Sequence, residues 1–513
     1  MMNSASDNAM YVESEDEMEK DLHEDHNDGN NSFYWNYSNE NQSRKSSSYS
    51  IAWPQSYKQS IDLYGSVPSP DIGFMGTTSL SRLGSSFISS SLIRMHTQEI
   101  VSPERKSLLQ HEAHIPGQCS FGQAVLNGIN GICGIGILST PYALKEGGWA
   151  GLSILLLYAI LCFYTGLLLR HCLDSEPGLE TYPDIGQAAF GTIGRVVISI
   201  ILYMELYACC IEFIIVESDN LSTLFPNAHI SLGGIEINSH VLFAMATCIA
   251  LLPTVWLRDL RFLSYISACG VIATVTVVFC LLWVCSVDNA AIDAKGSRGT
   301  TALNLTTLPV AMGIYGYSCA GHALFPNLYS AMANRNQFPA VLFVCFAICT
   351  SLYCAVGVTG YAVFGEGTLS QYTLNMPQDL VASKIAVWTT MFFLISTTYA
   401  LSLSPVALSL EELIPPSNPN FNVYSKLIRT ALVASTLVVG LAVPFFGLVM
   451  SLIGSFTMFV AMILPAACFL RIRGSRITLF QVALCVTIII VGVISNVTGS
   501  YSSLYEIIEE LFG

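Results

Sequence analysis

The stretch from Gly128 to Pro141, GINGICGIGILSTP, constrains this chain more than any other. It lies in an apolar segment long enough to cross a bilayer, yet four glycines, an asparagine and a closing proline oppose an unbroken helix. Backbone amides and carbonyls left unpaired in hydrocarbon are costly, so such a break persists only where protein, water or a ligand satisfies it. The pattern recurs from Gly313 to Pro326, GIYGYSCAGHALFP. The two align without a gap, pairing Gly128 with Gly313, Ile129 with Ile314, Gly131 with Gly316, Gly136 with Gly321 and Pro141 with Pro326. Paired interruptions in two halves of a chain point to the binding site of an inverted-repeat transporter. Two independently glycine-rich membrane helices are the competing explanation, since glycine is common in such helices.

Composition agrees with a membrane setting. Of 513 residues, 52% are hydrophobic and 11% charged, against about 25% charged in soluble domains. The net charge of -14 is concentrated at the start, where residues 1–100 hold 14 acidic and 6 basic side chains, and nothing in it suggests nucleic-acid binding. The 16 cysteines all lie between Cys119 and Cys485, in or beside apolar segments, which does not describe a disulfide framework. No metal-ligand spacing, nucleotide loop or nucleophile elbow stands out, so neither a metal, a cofactor nor an enzyme activity is expected.

Residues 1–115 read as a disordered, acidic, Ser-rich cytosolic tail. Near its end, Glu104, Leu108 and Leu109 form an acidic dileucine pattern of the kind read by sorting machinery. Eleven spans follow, at about 120–143, 149–170, 194–218, 240–257, 262–286, 303–325, 338–363, 383–407, 426–444, 446–470 and 476–497, each near the twenty residues a bilayer requires. The expected architecture is all-α and polytopic: a five-helix repeat over 119–286, an inverted second repeat over 303–470, broken first and sixth helices, an eleventh helix over 476–497, and a short lumenal tail over 498–513. Lys and Arg collect on one set of loops, among them Arg170, Arg195, Arg258, Arg335, Arg429 and Arg471. This bias puts the N-terminus in the cytosol.

The third span carries Glu205, Glu212 and Asp219 at seven-residue spacing, a single helical stripe. Burial favours the neutral form of a carboxyl, which suits a group that takes up and releases protons as a site changes sides. Glu205 and Glu212 are therefore candidates for proton coupling, or else neutral hydrogen-bond partners of Tyr203, Tyr207 or another helix. Asp219 and Glu217 are expected at the solvated interface. His322, in the second interruption, either titrates or is a satisfied structural histidine.

At the first break, amides around Gly134 to Ile137 would open a short half-helix and favour a carboxylate. At the second, carbonyls of Ile314 to Tyr317 would close a half-helix and attract a cation. Together they suit a zwitterion, a free amino acid being the simplest. The candidate substrate-binding residues are Asn130, Gly131, Gly134, Gly136, Tyr315, Gly316, Tyr317 and Ser318. No acidic or basic residue occurs in the breaks apart from His322, which favours neutral substrates. Thr397 and Thr398, with Ser402, offer hydroxyls for a cation site, although helical hydroxyls usually bond their own backbone.

The segments NGINGICGIGILSTPYALKEGGW, YPDIGQAAFG, FPNLYSAM, GYAVFGEGT and VPFFGLVMSLIGSF, spread over residues 119–497, resemble the amino acid/auxin permease family. The match is closest to its plant vacuolar members. The resemblance implies an eleven-span transporter coupling protons to amino acids, with neutral amino acids exchanged against protons at the vacuolar membrane. Sodium coupling or proton symport, another membrane such as the plasma membrane, and an amino-acid sensor signalling through the tail are the alternatives.

Overall fold

The computed structural model describes residues 119–512, apart from 233–234, 257–259, 288–298, 320, 378, 391–395 and 416–418, and gives only the backbone for 260–269, 287, 396 and 397. The tail over 1–115, with Glu104, Leu108 and Leu109, lies outside the described residues.

The described chain is almost wholly helical. Helix α1 (Phe121–Ile132) opens on a capping box in which Ser120 and Gln123 satisfy each other's backbone amides. A 3₁₀ turn (Ile135–Ser139) leads into α2 (Thr140–Gly147), then α3 (Gly151–Leu173). Helix α4 (Tyr182–Leu224) turns at Gly191, whose φ of 70° suits glycine. A small antiparallel hairpin, β1 (Ile230–Leu232) and β2 (Ile235–Ile237), precedes α5 (Ser239–Trp256) and α6 (Leu260–Val287). Next come α7 (Leu308–Tyr317), α8 (Phe325–Ala331), α9 (Phe338–Phe364), α10 (Tyr372–Asn375), α11 (Val381–Thr389) and α12 (Ser396–Glu411). The chain closes with α13 (Phe421–Ala442), α14 (Phe446–Met458), a π-helical turn, α15 (Leu464–Arg473) and α16 (Leu479–Phe512).

Among the described residues, seven helical stretches are long and apolar enough to cross a bilayer, and the bent α1–α2 pair makes an eighth candidate. The other three expected spans fall on shorter pieces. Helices α7 and α8 are separated by the second break, α11 and α12 by undescribed residues, and the described apolar part of α6 covers Gly270–Ser286. Ile160, Ile193, Ile249, Ile272, Phe279 and Val438 are exposed. So much outward apolar surface suits lipid rather than water, and the protein is a multi-pass membrane protein.

Two expectations change. The last helix does not end near 497: it runs unbroken from Leu479 to Phe512, held by small residues against the bundle, with Ser503 Oγ donating to Ser451 Oγ at 2.7 Å. Glu217 is buried, not solvated, at 8% exposure. Two buried ion pairs brace the helices elsewhere. Arg195 meets Asp184 at 2.8 Å. Arg429 gives Nε to Glu411 at 2.7 Å and Nη1 to the Val255 carbonyl at 2.7 Å, clamping α13 to α12 and α5.

Candidate functional site

The first interruption falls at Cys133 and Gly134, between α1 and the 3₁₀ turn, and the helix axis bends by 47°. Gly134 has no neighbouring atom within 4 Å of where a side chain would start, so it borders open space. No side chain caps the turn that Gly134 opens. The carbonyl of Ile132, at the end of α1, accepts the Tyr353 hydroxyl from α9 at 2.8 Å. That of Cys133 accepts Thr274 Oγ1 from α6 at 3.5 Å.

The second interruption runs from Ser318 to Leu324, between α7 and α8. Ser318 closes α7, its amide and Oγ both reaching the Ile314 carbonyl, at 3.3 and 3.4 Å. The Cys319 amide takes the Gly316 carbonyl at 3.0 Å.

The two breaks lie against each other, and their contact is reciprocal. A Cβ on Gly136 would stand 2.9 Å from Tyr317 Cδ1, and one on Gly321 would stand 2.9 Å from Ile132 Cγ1. Gly136 aligns with Gly321 and Ile132 with Tyr317, so the same pair of positions touches twice with the partners exchanged. A third glycine, Gly131, abuts Leu324 at 2.5 Å by the same measure.

The predicted residues divide between this junction and the scaffold. At the junction are Gly131, Gly134, Gly136, Tyr317 and Ser318. Asn130 turns toward α6, its Oδ1 lying 2.6 Å from where Gly270 would carry a Cβ. Gly316 packs on the Gly454 backbone of α14 instead, and Tyr315 points its hydroxyl at Gly151 on α3. That buried hydroxyl has no hydrogen-bond partner.

The carboxyl stripe also divides. Glu205 faces α14, where its Oε1 accepts Thr457 Oγ1 at 2.7 Å. Glu212 faces the second break, against the Tyr317 hydroxyl, although neither of its oxygens makes a directed hydrogen bond. The Tyr317 hydroxyl itself points at Cys209 Sγ, 3.7 Å away. Tyr207 takes Ser435 at 2.7 Å rather than either glutamate. Asp219 meets His240 at 3.2 Å and Gln371 at 2.9 Å.

His322 is buried and turned toward α3. Its Nε2 lies 2.9 Å from Thr165 Oγ1 and its Nδ1 3.3 Å from the Cys319 carbonyl. Nε2 also lies 3.1 Å from the Cys162 carbonyl, so a carbonyl acceptor stands at each ring nitrogen. Thr398 is half-buried, and the side chain of Thr397 lies outside the described residues. No group of three or more potential metal ligands occurs among the described residues.

Sequence reasoning missed Tyr353, Thr274 and Thr457. For Tyr353 a signal existed: Cys345, Cys349 and Tyr353 recur every fourth residue on α9, one face. The first of them reaches the Val125 carbonyl of α1 at 3.4 Å.

Two interrupted segments lying against each other in a helical membrane protein form the kind of junction at which membrane transporters hold a substrate. The family described as "Transmembrane amino acid transporter protein" matches residues 117–505, and the chain belongs to this family, the amino acid/auxin permeases. It is similar along its whole length to two proteins of Arabidopsis thaliana. "Amino acid transporter AVT1C" is 56% identical, with 99% of each chain covered, and "Amino acid transporter AVT1B" is 54% identical, with 100% of each covered. Among solved structures, a Na+-coupled sialic acid symporter in a substrate-bound outward-open state overlaps with a TM-score of 0.47 and 14% identity, over 79% of this chain and 91% of that one. An overlap that shallow transfers neither a site nor a coupling ion.

Proposed function

We propose that this protein exchanges neutral amino acids for protons across the vacuolar membrane, by alternating access of two five-helix inverted repeats within an eleven-span fold. The observation that carries this reading is the reciprocal contact of the two breaks, Gly136 on Tyr317 and Gly321 on Ile132, with Glu212 buried beside it. A two-fold junction of interrupted helices is a place where rocking of one repeat against the other exposes a ligand to each side in turn. The names of the Arabidopsis relatives support an amino acid as cargo.

The chemistry of the junction fits a zwitterion. Gly134 borders open space beside an uncapped turn, suited to a carboxylate. Leu324, Ile132 and Tyr317 supply apolar walls for a neutral side chain. Proton rather than sodium coupling is favoured by the two buried carboxyls, Glu205 and Glu212, which can each carry a proton. In this reading the N-terminus is cytosolic and the acidic lumen drives uptake.

Purified protein in liposomes tests this. An interior made acidic by two pH units should raise uptake of labelled neutral amino acids about tenfold over no gradient, with or without sodium. Uptake that survives collapse of the gradient, or that demands sodium, contradicts the reading.

A further inference from the structure

Glu212 is fully buried, at 0% exposure, and among the described residues neither of its oxygens has a hydrogen-bond partner of proper geometry. The groups that face it are Tyr317 on α7 and, on its own helix, Cys209. Four polar or charged groups on helices packed against α4 have other partners. His240 of α5 pairs with Asp219 at 3.2 Å, Tyr399 of α12 with Thr436 at 2.8 Å, Arg429 of α13 with Glu411 at 2.7 Å, and Thr457 of α14 with Glu205 at 2.7 Å. Among the described residues no Lys, Arg or His forms an ion pair with Glu212. A lone ionised carboxylate is not stable in such a place; it must hold a proton or meet a cation. The junction of the breaks, bounded by Tyr317, is where a ligand would bring one.

We propose that Glu212 binds either a proton or the ammonium group of the amino acid, never both, so that the two ligands compete for one carboxyl. This rests on the amino-acid reading above and adds how exchange is enforced. When the ammonium arrives, the carboxyl O–H bond breaks, its proton leaves to the aqueous side then open, and the carboxylate forms an N–H···O ion pair in its place. An ionised, empty Glu212 is the costly state, so the carrier crosses with one ligand or the other. Antiport then needs no second titrating site. The sign follows from linkage: the amino acid binds the deprotonated form, so acid weakens its binding.

The test is proton release on binding. Full-length protein in lipid nanodiscs, in weakly buffered solution with a pH-indicator dye, is given a panel of neutral amino acids and their carboxylic-acid analogues lacking the amino group. We expect about one proton released per amino acid bound, none with the deaminated analogues, and an affinity that falls up to about tenfold per pH unit toward acid. Glu212→Gln should bind at least about tenfold more weakly, with no release and no pH dependence. Binding with no proton change, binding with proton uptake, or release that persists in Glu212→Gln would overturn the competition. The first two readouts use the unmodified protein, so a misfolded variant leaves the test intact. Failure of every amino acid to bind would instead overturn the amino-acid reading, an outcome distinct from binding without release.

Discussion

Gly454→Val should leave little folded protein after extraction into detergent. A Cβ at Gly454 of α14 would fall on the carbonyl oxygen of Gly313, 2.5 Å from the Tyr317 amide nitrogen and 2.9 Å from Tyr317 Cβ. These atoms are mostly the backbone of α7, so no rotamer change relieves the clash and the two helices must separate. Overpacking typically costs about 1–3 kcal/mol when side chains can adjust, and here the cost should reach or exceed the upper end of that range. The same displacement would carry Tyr317 away from Gly136 and open the junction. Gly134→Ala is the matched comparison: with nothing within 4 Å of the new methyl group, its thermal unfolding should stay close to that of the unmodified protein. Size-exclusion profiles and melting curves of the two variants check the contrast.

Arg429→Met should be the most destabilising change outside the junction. Arg429 is 2% exposed and Glu411 4% exposed, and Ser425 Oγ adds a second contact to Glu411 at 2.6 Å. Removing the guanidinium takes the Arg429 charge from beside a buried carboxylate and frees the Val255 carbonyl, a loss of about 3–5 kcal/mol by analogy with broken buried pairs. Replacing both partners, as in Arg429→Met with Glu411→Leu, should recover most of that loss, because no unpaired charge remains. The melting temperatures of the single and double variants check this. A double variant as unstable as the single one would mean that the pair matters for its shape and not its charge.

How much of this was legible before the structure depended on whether the signal was local. The breaks were, because glycine and proline act through their own backbone: helix ends at Ile132 and Tyr317 lie inside the stretches Gly128 to Pro141 and Gly313 to Pro326. The gapless alignment also held the reciprocal contact implicitly, since positions 136 and 321 each touch the counterpart of the other's partner. The carboxyl stripe was visible as a seven-residue repeat. Periodicity, however, gives the face of a helix and not its neighbour. Only tertiary packing separates Glu205, bonded to Thr457, from Glu212, left against Tyr317. Tyr315 and Tyr317 are two residues apart and so project roughly 200° apart around a helix, one to α3 and one to the other break. Tyr353 was hidden for a different reason: its partner carbonyl lies 221 residues earlier in the chain. The last helix ran past its expected end because Gly499, Ser503 and Ile507 continue its buried stripe beyond the apolar run.

The proposed transport needs one site formed by the two breaks, and imaging the ligand tests for that site most directly. Cryo-electron microscopy of the full-length protein in nanodiscs, with a saturating neutral amino acid, should show density between Gly134 and Tyr317, its ammonium end toward Glu212 and its carboxylate end toward the turn that begins at Gly134. Ligand density remote from both breaks, with the Gly136–Tyr317 and Gly321–Ile132 contacts unchanged and closed around nothing, would contradict it.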